Sequence, residues 1–542
     1  MFKRLIDLLR TRRFRKINVG VIYSLVAIEV AFLLISIPDF RLNGDEAWSA
    51  EDSYFMSQKG YSTSNLFSGY IMEDVRVVVQ HKLLVYLGAA LFRILHYDLW
   101  VFRLIPLCSF LILMVFFVRY QQKYLPAGGL STSLHAGSDT SQRERDSLQI
   151  FLGIAIVLAM HESFYFAKVA RPEMLVTLLG FLSFYLLQKY LVSGKILLST
   201  SAGFLAGLSM LAHLNGAIFI AAGFVLLLLR GKFGASCAFA IASLIAFSPY
   251  IMDAYWHFEI FKIQLNSDPN KTHFTLLKPL LNLSREHERL FRRPEIIIPS
   301  ALFFFNLIVN RKYLFRAGAK ELTIYTLLLM LFLGLIVEDK TMKYSTYLVP
   351  FWGIIIAGSV MTMNANQKVM TSTNTVLLSS LFITGLYWQA TSVFQKEEYP
   401  SLNKLIAHDM PLHVTCVAPM NFIFNEIAEF KIFSNYLVGY EKFGDTINIK
   451  SVSGFCRANN CQYVVFNKYG DPWYYLHDYR DTTNLFEHFE IVAANNDFCV
   501  LKYRNEPIMK TVARCADSTS LLEDYISYMS ERAAHVKKGD TF

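Results

Sequence analysis

The stretch LWVFRLIPLCSFLILMVFFV, residues 99–118, contains Arg103 as its single charged residue. At 1.5 Å per residue, a helix of about 20 residues covers roughly 30 Å, the thickness of the hydrocarbon core of a bilayer. Comparable apolar blocks of about 17–22 residues recur along the chain, separated by short charged links. Hydrophobic residues make up 54% of the sequence, which is more than a soluble fold can bury. The sequence therefore predicts a polytopic bundle of transmembrane helices.

The net charge of +9 is distributed in clusters between the apolar blocks. Because Lys and Arg beside spans collect on the cytoplasmic side, these clusters indicate topology and not a nucleic-acid partner. We expect the basic residues 1–16 in the cytoplasm, ahead of a first span that is retained as an anchor and not cleaved as a signal peptide. Later basic residues that this threading places inside are Arg119, Lys123, Arg143, Arg145, Lys195, Arg230, Lys232, Arg311, Lys312, Arg316 and Lys368.

The threading predicts about eleven spans. Residues 82–97 form a shorter apolar stretch with Arg93 and His96, so we expect an interfacial or re-entrant helix that does not cross. The sequence therefore predicts a transmembrane domain of residues 1–395, with outer loops at residues 38–81 and 253–293. The predicted spans are residues 18–37, 99–118, 150–168, 174–191, 196–213, 216–229, 233–252, 295–309, 321–337, 345–363 and 372–390.

The remainder, residues 396–542, lacks long apolar blocks and is predicted to be a soluble α/β domain on the outer, non-cytoplasmic side. Short β-rich runs indicate strands near residues 413–418, 462–466, 490–494 and 498–503, and residues 421–430 and 521–530 are expected to be helical. Cys456 and Cys461 are separated by four residues. In an oxidising compartment this spacing favours a local disulfide, with half of a metal site as the alternative.

Adjacent carboxylates follow the first span at Asp45 and Glu46. At the lipid–water boundary, partial desolvation raises the pKa of a carboxyl group towards that of a useful base. The pair is therefore a candidate for removing a proton from an acceptor hydroxyl. A solvated loop or a helix cap is the alternative.

Two further segments are predicted on the same side of the membrane. Arg171 and Glu173 flank Pro172, which can end a helix and turn both side chains into one cavity, although a salt-bridged helix end is an equal alternative. Lys343 and Tyr344 open a late span and are candidates for binding a lipid phosphate, with an interfacial anchor belt as the alternative. His81, Arg103, His213 and Asn215 also lie near predicted outer span ends.

Taken together, these segments resemble the GT-C superfamily of glycosyltransferases, and specifically the group of protein O-mannosyltransferases and lipid A aminoarabinose transferases. The similarity covers roughly residues 1–360 and differs from the family pattern at Lys82-Leu83, where the family has Pro-Pro, and at Trp48. The matching elements, in chain order, are Asp45-Glu46-Ala47, His81-Lys-Leu-Leu-Val-Tyr86, Arg103-Leu-Ile-Pro106, Ala170-Arg-Pro-Glu173 and Lys343-Tyr344 ahead of Pro350.

The resemblance implies a lipid-linked donor, such as an undecaprenyl phosphate sugar, and a divalent cation, Mg²⁺ or Mn²⁺, held by Asp45 and Glu173. It also implies Asp45 as the base in an inverting hexosyl or pentosyl transfer, with Glu46 and Glu173 orienting substrate. Arg171, His81, Lys343 and Tyr344 would then bind the donor phosphate.

The expected enzyme is a mannosyltransferase-like protein of the bacterial inner membrane. It would act on a lipid, glycan or protein acceptor of the cell envelope at the periplasmic face. A transporter or flippase of a lipid-linked saccharide is the rival hypothesis. Transporters usually place ionisable groups near the middle of the bilayer and contain internal repeats, whereas the charged residues here collect at span ends.

Overall fold

The structure, a computed structural model, describes residues 12–37, 43–68, 71–125, 139–266, 277–315, 319–362, 368–394, 399–424, 426–435, 452–467, 488–494 and 498–504. Helices account for most of the chain up to residue 394, and a small sheet follows. The predicted fold, an all-α membrane bundle with a C-terminal α/β domain, is confirmed.

The helices of the bundle are connected in places by 3-10 turns, of which Leu214–Gly216 and Met342–Leu348 border the candidate site. In chain order, α1 to α18 are Arg12–Ser36, Gly44–Lys59, Lys82–Ile94, Leu99–Tyr124, Asp139–Ala159, His161–Phe166, Pro172–Ser193, Ile196–Ala212, Ala217–Leu229, Phe233–Trp256, Phe258–Asn266, Lys278–Ser284, Glu286–Phe291, Pro294–Val309, Arg311–Leu314, Lys320–Ile336, Val349–Thr362 and Lys368–Phe394.

A helix lies at every predicted span, although the span over residues 150–168 is interrupted. Helix α3 has 13 residues, about 20 Å at 1.5 Å per residue, and the expectation that it does not cross stays a prediction. The segments that are long and apolar enough to cross a membrane, by length and composition, are Leu99–Tyr124, Pro172–Ser193, Phe233–Trp256, Met342–Thr362 and Met370–Phe394.

The prediction of one continuous span over residues 150–168 is wrong. Helix α5 begins earlier, at Asp139, and ends at Ala159. Met160 then takes an extended conformation, with φ −73° and ψ 120°, and the six-residue helix α6 starts at His161. The break brings the polar pair His161 and Glu162 to the start of a separate short helix.

Close helix packing fixes α8 against α10. Gly203 and Gly207 lie on the same face of α8, in the small-xxx-small pattern that lets membrane helices approach closely. A Cβ atom at Gly203 would lie 2.1 Å from the Phe239 carbonyl oxygen, and one at Gly207 would lie 2.2 Å from that of Ser243. The Ser243 hydroxyl donates to the Gly203 carbonyl at 2.8 Å, so a larger residue at either glycine would force these helices apart.

The C-terminal domain contains five described strands, β1 to β5, with the bounds Thr415–Ala418, Lys431–Ser434, Tyr463–Asn467, Phe489–Ala494 and Phe498–Tyr503. They form a mixed sheet with the strand order β2-β1-β3-β5-β4. Strands β2, β1 and β3 run parallel, whereas β5 is antiparallel to both β3 and β4. Helices α19 and α20 accompany the sheet. Their bounds are Tyr399–His408 for α19 and Val452–Asn459 for α20.

Two details of this domain correct the sequence interpretation. Residues 421–430, predicted to be helical, contribute only the end of the 3-10 turn Met420–Ile423 before β2 begins. Phe422, Phe424, Ile427 and Phe430 are all buried, and their spacing of two and three residues does not follow one face of a helix. The helix predicted over residues 521–530 lies outside the described residues.

The predicted disulfide is not formed. The structure does not join Cys456 to Cys461, and both side chains are buried. Cys456 lies on the face of α20 that packs against the sheet, in a cluster with Phe433, Val464 and Leu501. Cys461 follows Asn460, which has a positive φ of 53°, and its sulfur lies 4.0 Å from the Asn459 carbonyl oxygen. Both side chains belong to the same buried cluster of the C-terminal domain, in which they are not bonded to each other.

The C-terminal domain packs against the loop that follows α2. The Ser434 amide, at the end of β2, donates to the Leu66 carbonyl at 2.9 Å. The rings of Tyr97 and Phe424 stack with their centroids 6.0 Å apart. The sheet therefore lies beside the segments that follow α2 and α3.

Candidate active site

The N-terminus of α2 is a capping box that positions Asp45 and Glu46. The Asn43 side chain accepts from the Asp45 amide at 3.0 Å, and Glu46 accepts from the Asn43 amide at 2.9 Å. This reciprocal pair satisfies two of the amides that a helix leaves free at its start. The helix-cap alternative raised by the sequence therefore applies to Glu46.

Glu46 is fully buried and saturated with hydrogen bonds. Arg103 of α4 donates from Nε and Nη2 to its two oxygens, each at 2.9 Å. The Ala170 amide, just before α7, donates to Oε1 at 2.6 Å. The Glu46 oxygens already accept hydrogen bonds from the start of α2, from α4 and from the residue before Arg171. Glu46 therefore fixes these elements relative to one another and is poorly placed to contact a substrate directly.

Arg171 joins the two other predicted carboxylates. It precedes Pro172, the first residue of α7, in an extended conformation with φ −119° and ψ 160°. Its Nη2 lies 2.8 Å from Glu173 Oε1, and its Nη1 binds the Asp45 carboxylate. Burial alone would lower the pKa of Arg171, but Glu173 and Asp45 raise it above the ordinary value. Glu173 is buried, whereas the Asp45 side chain is 53% exposed, so Asp45 is the carboxylate that an entering molecule can reach.

Two histidines stack beside this triad. The rings of His81 and His213 lie 4.7 Å apart and 19° from parallel, and His213 also contacts the Tyr344 ring at 5.5 Å. Burial lowers the pKa of His81 to about 4 and holds that of His213 well below its usual value. Both rings are therefore neutral near pH 7, and His81 can bind a phosphate only as a neutral hydrogen-bond donor.

Lys343 and Tyr344 stand in the 3-10 turn that leads into α17. Lys343 Nζ lies 2.9 Å from Asp339 Oδ2 and 4.9 Å from the centre of the Tyr344 ring. The Lys343 side chain is 28% exposed. Tyr344 bridges it to His213, so the structure brings all of the predicted donor-binding residues to one place.

These groups border a cavity of about 1420 Å³ that opens among α6, α12, α13 and the segment before α17. Arg171, His213, Lys343 and Tyr344 line one part of it. The sequence interpretation missed other cationic side chains on its walls: Arg289, Arg292 and Arg293. Their only sequence signal is a run of basic residues within the predicted outer loop 253–293.

The predicted divalent-cation ligands do not fit a metal ion. Asp45 and Glu173 are both bound to the Arg171 guanidinium, which supplies the positive charge between them. Within the described ranges no group of three or more His, Cys, Asp or Glu side chains is arranged to hold a metal. The donor set thus consists of two carboxylates that already share a cation.

Comparison with solved structures shows that the chain shares its fold with ArnT. ArnT from Cupriavidus metallidurans matches in the apo state with a TM-score of 0.58 and 12% identity, and bound to undecaprenyl phosphate with 0.57 and 11%. Each match covers 89% of this chain and 98% of the ArnT chain. No protein-family model and no curated protein matches by sequence.

A weaker likeness extends to another membrane enzyme. AglB from Archaeoglobus fulgidus, an archaeal oligosaccharyltransferase in complex with an inhibitory peptide and a dolichol-phosphate, matches with a TM-score of 0.46 and 12% identity, over 86% of this chain and 73% of that chain. We infer nothing further from it.

Proposed function

We propose that this protein is an integral membrane glycosyltransferase that transfers a sugar from a polyprenyl-phosphate donor to a lipid, glycan or protein acceptor. One observation carries the proposal: an exposed carboxylate, Asp45, lies on Arg171 at the edge of a cationic cavity that also presents Lys343. The ArnT structure of the same fold is bound to undecaprenyl phosphate, which makes a lipid phosphate the natural ligand for these cations.

In the proposed reaction, Asp45 accepts the proton of an acceptor hydroxyl. The hydroxyl oxygen forms a bond to the anomeric carbon as the bond from that carbon to the phosphate oxygen breaks, with inversion at the carbon. The electron pair of the broken bond leaves with the polyprenyl phosphate. Arg171 and Lys343 stabilise the resulting charge, because charge-assisted bonds to phosphate are strong and strengthen where water is scarce.

The neighbours of Asp45 have supporting roles. Glu173 is buried and bound to Arg171, so it orients the guanidinium. Glu46 acts as a positioning residue through Arg103 and the Ala170 amide. His81 and Tyr344 complete the wall around the phosphate. No step is routed through a metal ion, because both candidate ligands are engaged by Arg171.

The proposed location is the bacterial inner membrane, with the site and the C-terminal domain on the periplasmic face. Support comes from the basic clusters at the opposite span ends. The Ser434 amide also binds the Leu66 carbonyl, within the predicted outer loop 38–81, which favours the same side for the C-terminal domain.

A flippase for lipid-linked saccharides is the rival function, and proteoliposomes separate the two. Purified protein would be given a radiolabelled undecaprenyl-phosphate sugar and an extract of envelope acceptors. Formation of a labelled glycosidic product that requires the protein supports the transferase. Movement of the labelled lipid between leaflets with no glycosidic product would contradict it and favour the flippase.

A further inference from the structure

A buried carboxyl group lies on the cavity wall without a role in the proposed chemistry. Glu162, in the first turn of α6, is 1% exposed and lines the cavity. Neither of its carboxyl oxygens accepts a hydrogen bond from another residue in the described part of the chain. A buried polar group without a partner costs roughly 1–3 kcal/mol, so such a group facing a cavity points to a ligand that satisfies it.

The surroundings of Glu162 indicate the chemistry of that ligand. Tyr165 and Phe166 line the same part of the cavity, and their rings lie 5.0 Å apart. Aromatic faces beside a few exactly oriented polar groups are typical of small-molecule sites. A carboxyl group can bind two neighbouring hydroxyl groups, while the apolar face of a sugar ring packs on aromatic rings. The wall therefore suits a sugar.

Glu162 is connected to the phosphate-binding end of the cavity through one helical turn. Tyr165 is three residues further along α6, a spacing that puts side chains about 5–6 Å apart on one face. The Tyr165 hydroxyl accepts from Asn43 Nδ2 at 3.2 Å, and Asn43 Oδ1 in turn accepts from Arg171 Nη1 at 3.4 Å. These contacts connect the short helix that carries Glu162 to the guanidinium that is proposed to bind the donor phosphate.

We propose that Glu162 forms, with Tyr165 and Phe166, a subsite that binds the hydroxyl groups of the sugar carried by the lipid donor. This inference rests on the proposed function, because the donor phosphate fixes where the sugar lies. Burial raises the pKa of Glu162 to about 8, so the group is mostly protonated near neutral pH and can both donate to and accept from hydroxyls. Sites that bind a substrate hydroxyl discriminate strongly against analogues that lack it.

The test measures lipid binding in nanodiscs, with bare undecaprenyl phosphate and with undecaprenyl phosphates that carry mannose, glucose or arabinose as probes. The wild type should bind at least one sugar-bearing lipid about ten- to a hundredfold more tightly than the bare lipid. Glu162→Gln, which keeps the size of the side chain, and Glu162→Ala should each lose most of this preference and retain the affinity for the bare lipid.

The matched control is Glu29→Gln. Glu29 is a fully buried carboxyl of α1 whose oxygens also lack partners in the described part of the chain, but it does not line the cavity. It should keep the preference for the sugar-bearing lipid. If no sugar-bearing lipid is preferred, or if Glu162→Gln keeps the preference, the subsite is refuted while the donor assignment stands. If the wild type does not bind even the bare lipid, the proposed function itself fails.

Discussion

Arg103 binds Glu46 through two parallel hydrogen bonds of 2.9 Å, with both side chains at most 2% exposed. The pair connects α4 to the start of α2, and the Ala170 amide adds the entry to α7. The position of Asp45, one residue before Glu46, and that of Arg171, one residue after Ala170, are therefore set by one buried ion pair.

Removing one member of this pair should destabilise the fold. Breaking a buried ion pair leaves an uncompensated charge and costs about 3–5 kcal/mol. We expect Glu46→Ala and Arg103→Ala each to lower the free energy of unfolding by that order, measured by denaturant titration in detergent. The double variant should lose clearly less than the sum of the two. Fully additive losses would show that the two side chains do not stabilise each other.

Lys343→Ala should weaken donor binding. Loss of one charge-assisted contact to phosphate costs on the order of 1.5–3 kcal/mol, or roughly ten- to a hundredfold in affinity. The measurement is the affinity for undecaprenyl phosphate in nanodiscs. Lys232→Ala, an exposed lysine just before α10, is the control and should bind as the wild type does. Equal binding by both variants would leave Lys343 as an interfacial anchor.

The stacked histidines predict a sensitivity to acid. The pKa of His81 is lowered by burial to about 4, from an ordinary value near 6.5. Between these values the unfolded state binds the additional proton, so the stability contributed by the neutral ring is complete above pH 6.5 and falls as the pH approaches 4. His81→Phe keeps an aromatic stack on His213 and cannot titrate. Its melting temperature in detergent should fall less steeply than that of the wild type over this range, and parallel curves would contradict the assignment.

The topology can be tested with single cysteines introduced at exposed lysines. Lys404→Cys lies in α19 of the C-terminal domain, and Lys232→Cys lies in the link between α9 and α10. In intact spheroplasts, an impermeant maleimide should label the first and leave the second unlabelled until lysis. Labelling of the protein without an introduced cysteine measures the background from its native cysteines. The opposite pattern would place the site on the cytoplasmic face.

The sequence was sufficient for the membrane class, because long apolar blocks have few alternative structures. It also singled out Asp45, Arg171, Glu173, Lys343 and Tyr344, which the structure brings together. The sequence did not reveal that Glu46 forms an ion pair with Arg103, because the two residues are 57 positions apart and no local pattern indicates a buried pair.

Other errors have similar causes. The end of α5 at Ala159 was missed because hydropathy averages over the polar pair His161 and Glu162. That pair was the available signal for both the helix break and the wall of the cavity. The disulfide at Cys456 and Cys461 was inferred from spacing alone, which does not reveal that Cys456 packs in the core on one face of α20.

The most direct test of the proposed mechanism is the transfer rate of Asp45→Asn. The amide keeps the shape of the side chain but accepts no proton, so transfer from an undecaprenyl-phosphate sugar should fall by about 10²–10⁴-fold, while bare undecaprenyl phosphate still binds. Asp98→Asn is the matched control, because Asp98 caps α4 by accepting from the Trp100 amide at 2.7 Å and asparagine caps equally well. A folded Asp45→Asn protein that transfers sugar at the wild-type rate would contradict the assignment of Asp45 as the base.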